Sequence, residues 1–180
     1  MVLGGEYRKS TLESGLRIVS EKVPHVRSIA LGVWVQVGCR DEEPAQQGIS
    51  HFLEHMLFKG TNNRTGTEID HLIQDAGGYF NAYTSFDRTV YHVTIPSSGT
   101  SIALDVLSDI SLNATLPEDE LNTELDVIRR EMEMGNDDPS RRSSRRLFET
   151  AFTKSPYRYT VIGYRDVFDQ LDREAINEYY

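Results

Sequence analysis

GISHFLEHMLFKG, residues 48–60, sets two histidines and a glutamate inside an otherwise apolar run. Burying such groups is costly unless something compensates for it. Read as a helix from Ser50, a natural N-cap, to the stop at Gly60, the run has two distinct faces. Stepping about 100° per residue from His51, His55 falls near 40° and Glu54 near 300°, while Phe52, Leu53, Met56 and Leu57 spread over roughly 100° to 240°. Both imidazoles and the carboxylate therefore share one narrow stripe, and the remainder of the helix calls for burial.

On either side of this helix the pattern changes period. LRIVSEKV (16–23) and SIALGVWVQVG (28–38) read as strands, and Ile29, Leu31, Val33, Val35 and Val37 alternate on one face of the second. Pro24 and His25 mark the turn between them, and CRDEEPAQQG (39–48) reads as a polar loop. TEIDHLIQDAGG (67–78) reads as a helix closed by Gly77 and Gly78. YFNAYTSFDRTVYHVTIP holds two further strands. From Thr100 onward helices dominate: SIALDVLSDISL, PEDELNTELDVIRREMEMG, PSRRSSRRLFETAFTK, RDVFDQL and the beginning of another in DREAINEYY. RRSSRR within the third reads as a solvated helix face. Two strands, two helices, two strands and then helices is a segregated order, which predicts an α+β fold with an antiparallel or mixed sheet packed against helices. The run to Tyr180 reads as a helix that has not finished, so the chain is expected to stop before its domain does.

Bulk composition narrows the functional classes. The 180 residues suffice for one domain, and 38% hydrophobic with 26% charged residues is ordinary globular material. A formal net charge of −9 argues against nucleic acid as a partner. One cysteine, Cys39, excludes an intramolecular disulfide and any multi-cysteine metal knot. No apolar run approaches membrane-spanning length, and MVLGGEYRKSTLESG lacks the apolar core of a secretory signal. A cytoplasmic protein with no membrane partner is expected.

Two histidines four residues apart on a helix can direct nitrogens at one metal ion, at about 2.0–2.1 Å each for zinc. Glu54 beside them is placed to take a proton from water activated by that metal. The plainer alternative is a solvated stripe. Such stripes usually draw Lys, Arg and Glu, and two of the chain's 5 histidines are an uncommon choice for one. Catalytic zinc ordinarily needs a third protein ligand. On ELDVIRREMEMGNDD, Leu121, Leu125, Ile128 and Met132 form the buried stripe, and Glu124 and Glu131 lie together on its edge, half-buried in projection. Their plainer reading is a solvated flank following the acidic first turn of Glu118, Asp119 and Glu120, which suits the helix dipole.

Taken jointly, H-x-x-E-H from His51 to His55, then Glu131 with Glu124 seven residues before it, resembles the insulinase/pitrilysin family of inverzincin metallopeptidases. GISHFLEHMLFKGT, GGYFNAYTSFDRTVYHV and the DDP segment after the glutamate helix extend the resemblance over nearly the whole chain. It lies nearest the smaller bacterial members and the catalytic subunit of the mitochondrial processing peptidase. The resemblance implies zinc held by His51, His55 and Glu131, with Glu54 as general base and Glu124 orienting a metal-bound histidine. It further implies that Phe80, Asn81 and Ala82 lie on a strand whose edge takes up an extended peptide.

On this reading residues 1–180 form the zinc-binding catalytic half of a zinc-dependent endopeptidase acting on extended peptides or small unfolded proteins. A second homologous half would lie in the same chain or in a partner subunit, which a homodimer would also supply. That half contributes transition-state donors, so the isolated chain is expected to be weak or inactive. Two alternatives stand beside it: a non-catalytic structural or assembly subunit of the same fold, and a hydrolase of some small molecule. Manganese or cobalt could replace zinc in a site of two histidines and a glutamate.

Overall fold

The computed structural model describes residues 5–180; the N-terminal reading above extends into residues 1–4, which lie outside them. The chain begins with an antiparallel hairpin, β1 (Glu6–Thr11) and β2 (Arg17–Lys22), in which Tyr7 faces Glu21 and Ser10 faces Ile18. A second sheet follows, formed by β3 (Ser28–Val35), β4 (Tyr79–Thr84) and β5 (Thr89–Pro96) in the spatial order β3-β5-β4, all antiparallel. Helices α1 (Ile49–Met56) and α2 (Gly66–Asp75) lie between β3 and β4 in sequence. The helices α3 (Thr100–Leu112), α4 (Glu118–Asp137), α5 (Pro139–Ala151), α6 (Arg165–Phe168) and α7 (Arg173–Tyr179) complete the described chain. No helix among the described residues is long and apolar enough to cross a membrane.

Alternation explains how the second sheet meets the helices. Tyr91, Val93 and Ile95 of β5 point to one face, where register sets Leu31 and Phe80 opposite Val93, and Val33 and Ala82 opposite Tyr91. That face packs on α1, α2 and α3 through Phe52, Met56, Ile69, Ile73, Val106 and Ile110, all buried. Thr84 belongs to the same face of β4 as Phe80 and Ala82. Tyr79, Asn81 and Tyr83 alternate to the other, exposed side. Because β5 is central, β4 is an edge strand.

The α+β class holds, and the sheets are antiparallel throughout. The strand order departs from expectation at the start: β1 precedes the two strands read from the sequence. EYRKST carries no apolar alternation because every one of its residues is exposed, so only backbone pairing with β2 makes it a strand. β3 ends at Val35, short of Gly38. There the chain turns to run beside the β4–β5 connection, where Arg40 N–H donates to the Phe86 carbonyl at 2.9 Å and a Cβ on Gly38 would strike the Ser85 carbonyl.

Helix boundaries also shift. Ser50 is not the N-cap of α1 but a buried residue of its first turn, its hydroxyl 2.8 Å from that of Tyr179. Gly48 holds the cap position at φ 99°, and a Cβ there would lie 2.8 Å from the Ile162 carbonyl oxygen. The capping acceptor comes from outside the helix: the buried Glu42 carboxylate accepts from Gly48 N–H at 2.8 Å and Ser50 N–H at 2.9 Å. Regular helix stops at Met56, before Gly60. α2 starts one residue earlier than read, with Thr65 and Glu68 capping each other's backbone N–H groups at 3.3 and 2.8 Å.

Candidate metal centre

α1 buries Ile49, Phe52 and Met56 and leaves His51, Glu54 and His55 on the side toward α4 and β4. The two imidazoles meet edge to face, 4.7 Å between ring centroids. α4 packs along this side. Its buried residues are Leu121, Glu124, Ile128 and Met132, so Glu124 is buried where the sequence projection made it half-buried.

Burial of Glu124 is tolerable because both of its oxygens are engaged. Oε2 lies 2.9 Å from His55 Nδ1, and Oε1 forms an ion pair with the Lys59 ammonium. Burial alone would raise the pKa of this carboxyl; the Lys59 and His55 contacts outweigh it and hold the group below its ordinary value. An ionised Glu124 accepts from Nδ1–H, which leaves the Nε2 lone pair of His55 free to face Glu131. The seven-residue spacing carries Glu131 two turns along α4, onto the two histidines.

Ligand atoms of His51, His55 and Glu131 all lie within 4.8 Å of one another. Glu131 Oε2 is 3.7 Å from His51 Nε2 and 4.0 Å from His55 Nε2, too far for hydrogen bonds. Two atoms each about 2.0–2.1 Å from a tetrahedral ion sit roughly 3.3 Å apart, so the spacing suits a shared ion better than direct bonding. Burial, and the neighbouring His55, push His51 down to about 4, which keeps its ring neutral as a ligand must be. Among the described residues the buried Nδ1 of His51 has no hydrogen-bond partner, so no such bond draws the ring away from the orientation that aims Nε2 at Glu131. The three residues fit a divalent metal ion.

Glu54 stands beside this cluster rather than within it. Its Oε2 accepts from the Thr84 hydroxyl at 2.6 Å, which ties it to the end of β4. Burial raises the Glu54 pKa, with nearby Glu131 adding to the rise; the Thr84 hydrogen bond and the proximity of His55 pull the other way without cancelling it. A carboxylate shifted upward is better matched to accepting a proton near neutral pH.

The cluster opens into a cavity of about 1260 Å³ that is also lined by Phe80, Asn81 and Ala82. Phe80 stacks on Phe58 at 4.7 Å, whereas Asn81 is exposed and its Oδ1 accepts from the Ala82 N–H at 2.8 Å. Sequence reasoning missed Lys59 and Thr84. Lys59 continues the four-residue step from His51 and His55, and Thr84 is the polar end of the every-other stripe Phe80–Ala82; both signals were present.

Comparison with known proteins places this chain in a family of peptidases. Residues 17–164 match the model of the family described as Insulinase (Peptidase family M16). The chain is 38% identical over 97% of its length to a probable mitochondrial-processing peptidase subunit beta of Arabidopsis thaliana, covering 33% of that protein. It is 36% identical over 98% of its length to an uncharacterized zinc protease of Streptomyces coelicolor, covering 38% of it. The crystal structure of a protease from Helicobacter pylori superposes with a TM-score of 0.91 at 30% identity, over 97% of this chain and 42% of that one. The chain thus spans 33–42% of the length of these relatives.

Proposed function

The chain belongs to the insulinase family of peptidases, family M16, a family of zinc metallopeptidases, and from that premise we propose that residues 1–180 are the zinc-binding half of an endopeptidase cleaving extended peptides. The observation that carries this reading is the convergence of His51, His55 and Glu131 ligand atoms within 4.8 Å, with Glu54 alongside. A zinc ion held by those three would supply a Lewis acid for the scissile carbonyl and lower the pKa of attacking water toward about 7.

The chain's own residues do the rest. Glu54, anchored by Thr84, takes the proton of the attacking water and returns it to the leaving amine, so water adds across the C–N bond with no net proton change. Glu124 fixes the tautomer and orientation of His55, and Lys59 fixes Glu124. The edge of β4 at Phe80–Asn81–Ala82 can pair with an extended substrate, the Ala82 N–H exchanging its bond to Asn81 Oδ1 for one to the peptide. Main-chain pairing of that kind holds many sequences in one register. A second homologous half, in the same chain or in a partner subunit, closes the cavity, and the isolated half cleaves weakly or not at all.

Glu54→Gln in the complete protein tests the assignment. Metal content by elemental analysis should be unchanged, while peptide cleavage falls about 10²- to 10⁴-fold. Loss of metal with this change would make Glu54 a ligand instead of a base.

A further inference from the structure

RRSSRR, residues 141–146, concentrates four arginines in a chain whose formal net charge is −9. Read alone it is a solvated helix face, but the fold sets it on the wall of the cavity that holds the metal centre. Arg141, Arg142, Arg145 and Arg146 all line that cavity, and the one α5 carboxylate among its lining residues is Glu149.

The placement follows from the helix itself. At about 100° per residue, Arg141, Arg145, Phe148 and Phe152 fall within roughly 60° of one another on α5. The aromatic end of this stripe is anchored. Phe148 stacks on Phe86 at 5.1 Å with rings 8° from parallel, and Phe86 and Phe152 both approach Tyr157, at 5.0 and 5.8 Å. Phe86 lies in the connection directly after β4, so this contact fixes α5 relative to the edge strand. The arginine end of the same stripe then faces the space above that edge.

These guanidinium groups are only partly neutralised. Arg145 donates to Asn136 Oδ1 at 3.0 Å and shares Glu149 with Arg146, at 3.9 and 3.2 Å. Arg141 is 3.7 Å from Asp138. Arg142 forms no ion pair with an acidic side chain among the described residues. An excess of positive charge beside an edge strand suits a peptide that brings carboxylates with it.

We propose that Arg141 and Arg145, with Arg142 and Arg146 beside them, select peptide substrates bearing Asp or Glu side chains. The proposal rests on the peptidase reading and adds the chemical class of the substrate to it. Exposed ion pairs are individually weak, so a few of them together give a modest preference, about 5- to 20-fold at low salt.

The test uses three fluorescent peptides, identical except for a central Asp, Ala or Lys triplet. Binding is measured by anisotropy to the complete, zinc-loaded Glu54→Gln protein at low and high ionic strength, and cleavage by the unsubstituted protein. The Asp peptide should bind and be cleaved about 5- to 20-fold better than the Lys peptide, with the gap narrowing as salt rises. Arg141→Glu with Arg145→Glu should reverse the order at unchanged metal content and melting temperature; the milder Arg141→Gln with Arg145→Gln should flatten it. Equal cleavage of all three peptides, or an order unaffected by these substitutions, overturns the selection and leaves the peptidase reading intact. Selective binding of the Asp peptide without cleavage of any by the unsubstituted protein upholds the selection and sinks the peptidase reading. Failure of every peptide to bind or be cleaved removes both.

Discussion

Glu124 shows how one carboxylate can be both buried and ionised: Lys59 sits on one oxygen and His55 on the other. On the proposed function its role toward a metal is indirect, through the imidazole it holds. Glu124→Gln keeps an acceptor for His55 Nδ1–H but removes the charge, so zinc affinity should fall about 10- to 100-fold in competition with a chromophoric chelator. Asp109 is another buried carboxylate, remote from this chemistry. Burial alone would push it up; hydrogen bonds from Thr61, Asn113, Asn63 and Arg64 outweigh that and hold it below its ordinary value of 3.8. A depressed folded-state pKa gives stability that is present above the unfolded value and lost as pH falls from about 3.8 through the folded value. Asp109→Ala should cost about 1–3 kcal/mol near neutral pH by stranding these donors, and the gap in melting temperature from the unsubstituted chain should close in acid. The ligand pattern was legible in the sequence because helical spacing puts His51, Glu54 and His55 on one stripe, and the family resemblance supplied Glu131. The stripe ending at Thr84 was legible too, but its pairing with Glu54, 30 residues away, was not, because only the packing of α1 on β4 brings the two together.

At the scale of elements, α1 is a short helix whose start is fixed by its surroundings rather than by its own residues. A sequence reading looks for Ser, Thr, Asp or Asn at the cap and finds Ser50. The fold instead bends the chain through Gly48 at φ 99° and brings the Glu42 carboxylate across a loop to the first N–H groups. β1 was illegible for a related reason. Its partner supplies every hydrogen bond, and with no buried face there is no alternation to read. The sheet strands that do bury a face, β3 and β5, were plain. Gly48→Ala should therefore act on the whole helix. It forces a left-handed backbone on a residue with a Cβ, and sets that Cβ 2.8 Å from the Ile162 carbonyl oxygen. A cost of about 1–3 kcal/mol is expected. Calorimetry should show the melting temperature lowered by about 2–4 °C per kcal/mol, and zinc affinity should fall in parallel because His51 lies in the displaced first turn. An unchanged affinity in a destabilised protein would mean that α1 is positioned from its C-terminal end instead.

Across the whole molecule the candidate centre joins two parts of the chain that are far apart in sequence. His51 and His55 come from α1, packed on the sheet, and Glu131 from α4, in the helical second half. What holds these parts together without metal is chiefly apolar, Phe52 against Phe168 at 5.2 Å and Ile128 and Ile176 buried in the same core as Ile49 and Met56, with Glu124 of α4 reaching His55 and Lys59 as a polar link. A metal ion would add a further polar link across the same seam, binding the folded chain and not the separated elements. Linkage makes this measurable with no substrate and no second half. Zinc at about 100 times its dissociation constant should stabilise the chain by about 2.7 kcal/mol. For a domain of this size that raises the melting temperature by roughly 5–10 °C. A chelator should reverse the rise fully. His55→Ala should abolish it, while Asn81→Ala, on the exposed side of β4, should leave it intact. The same melting temperature with zinc and with chelator, in a chain that keeps all three ligand residues, would show that His51, His55 and Glu131 converge without binding an ion.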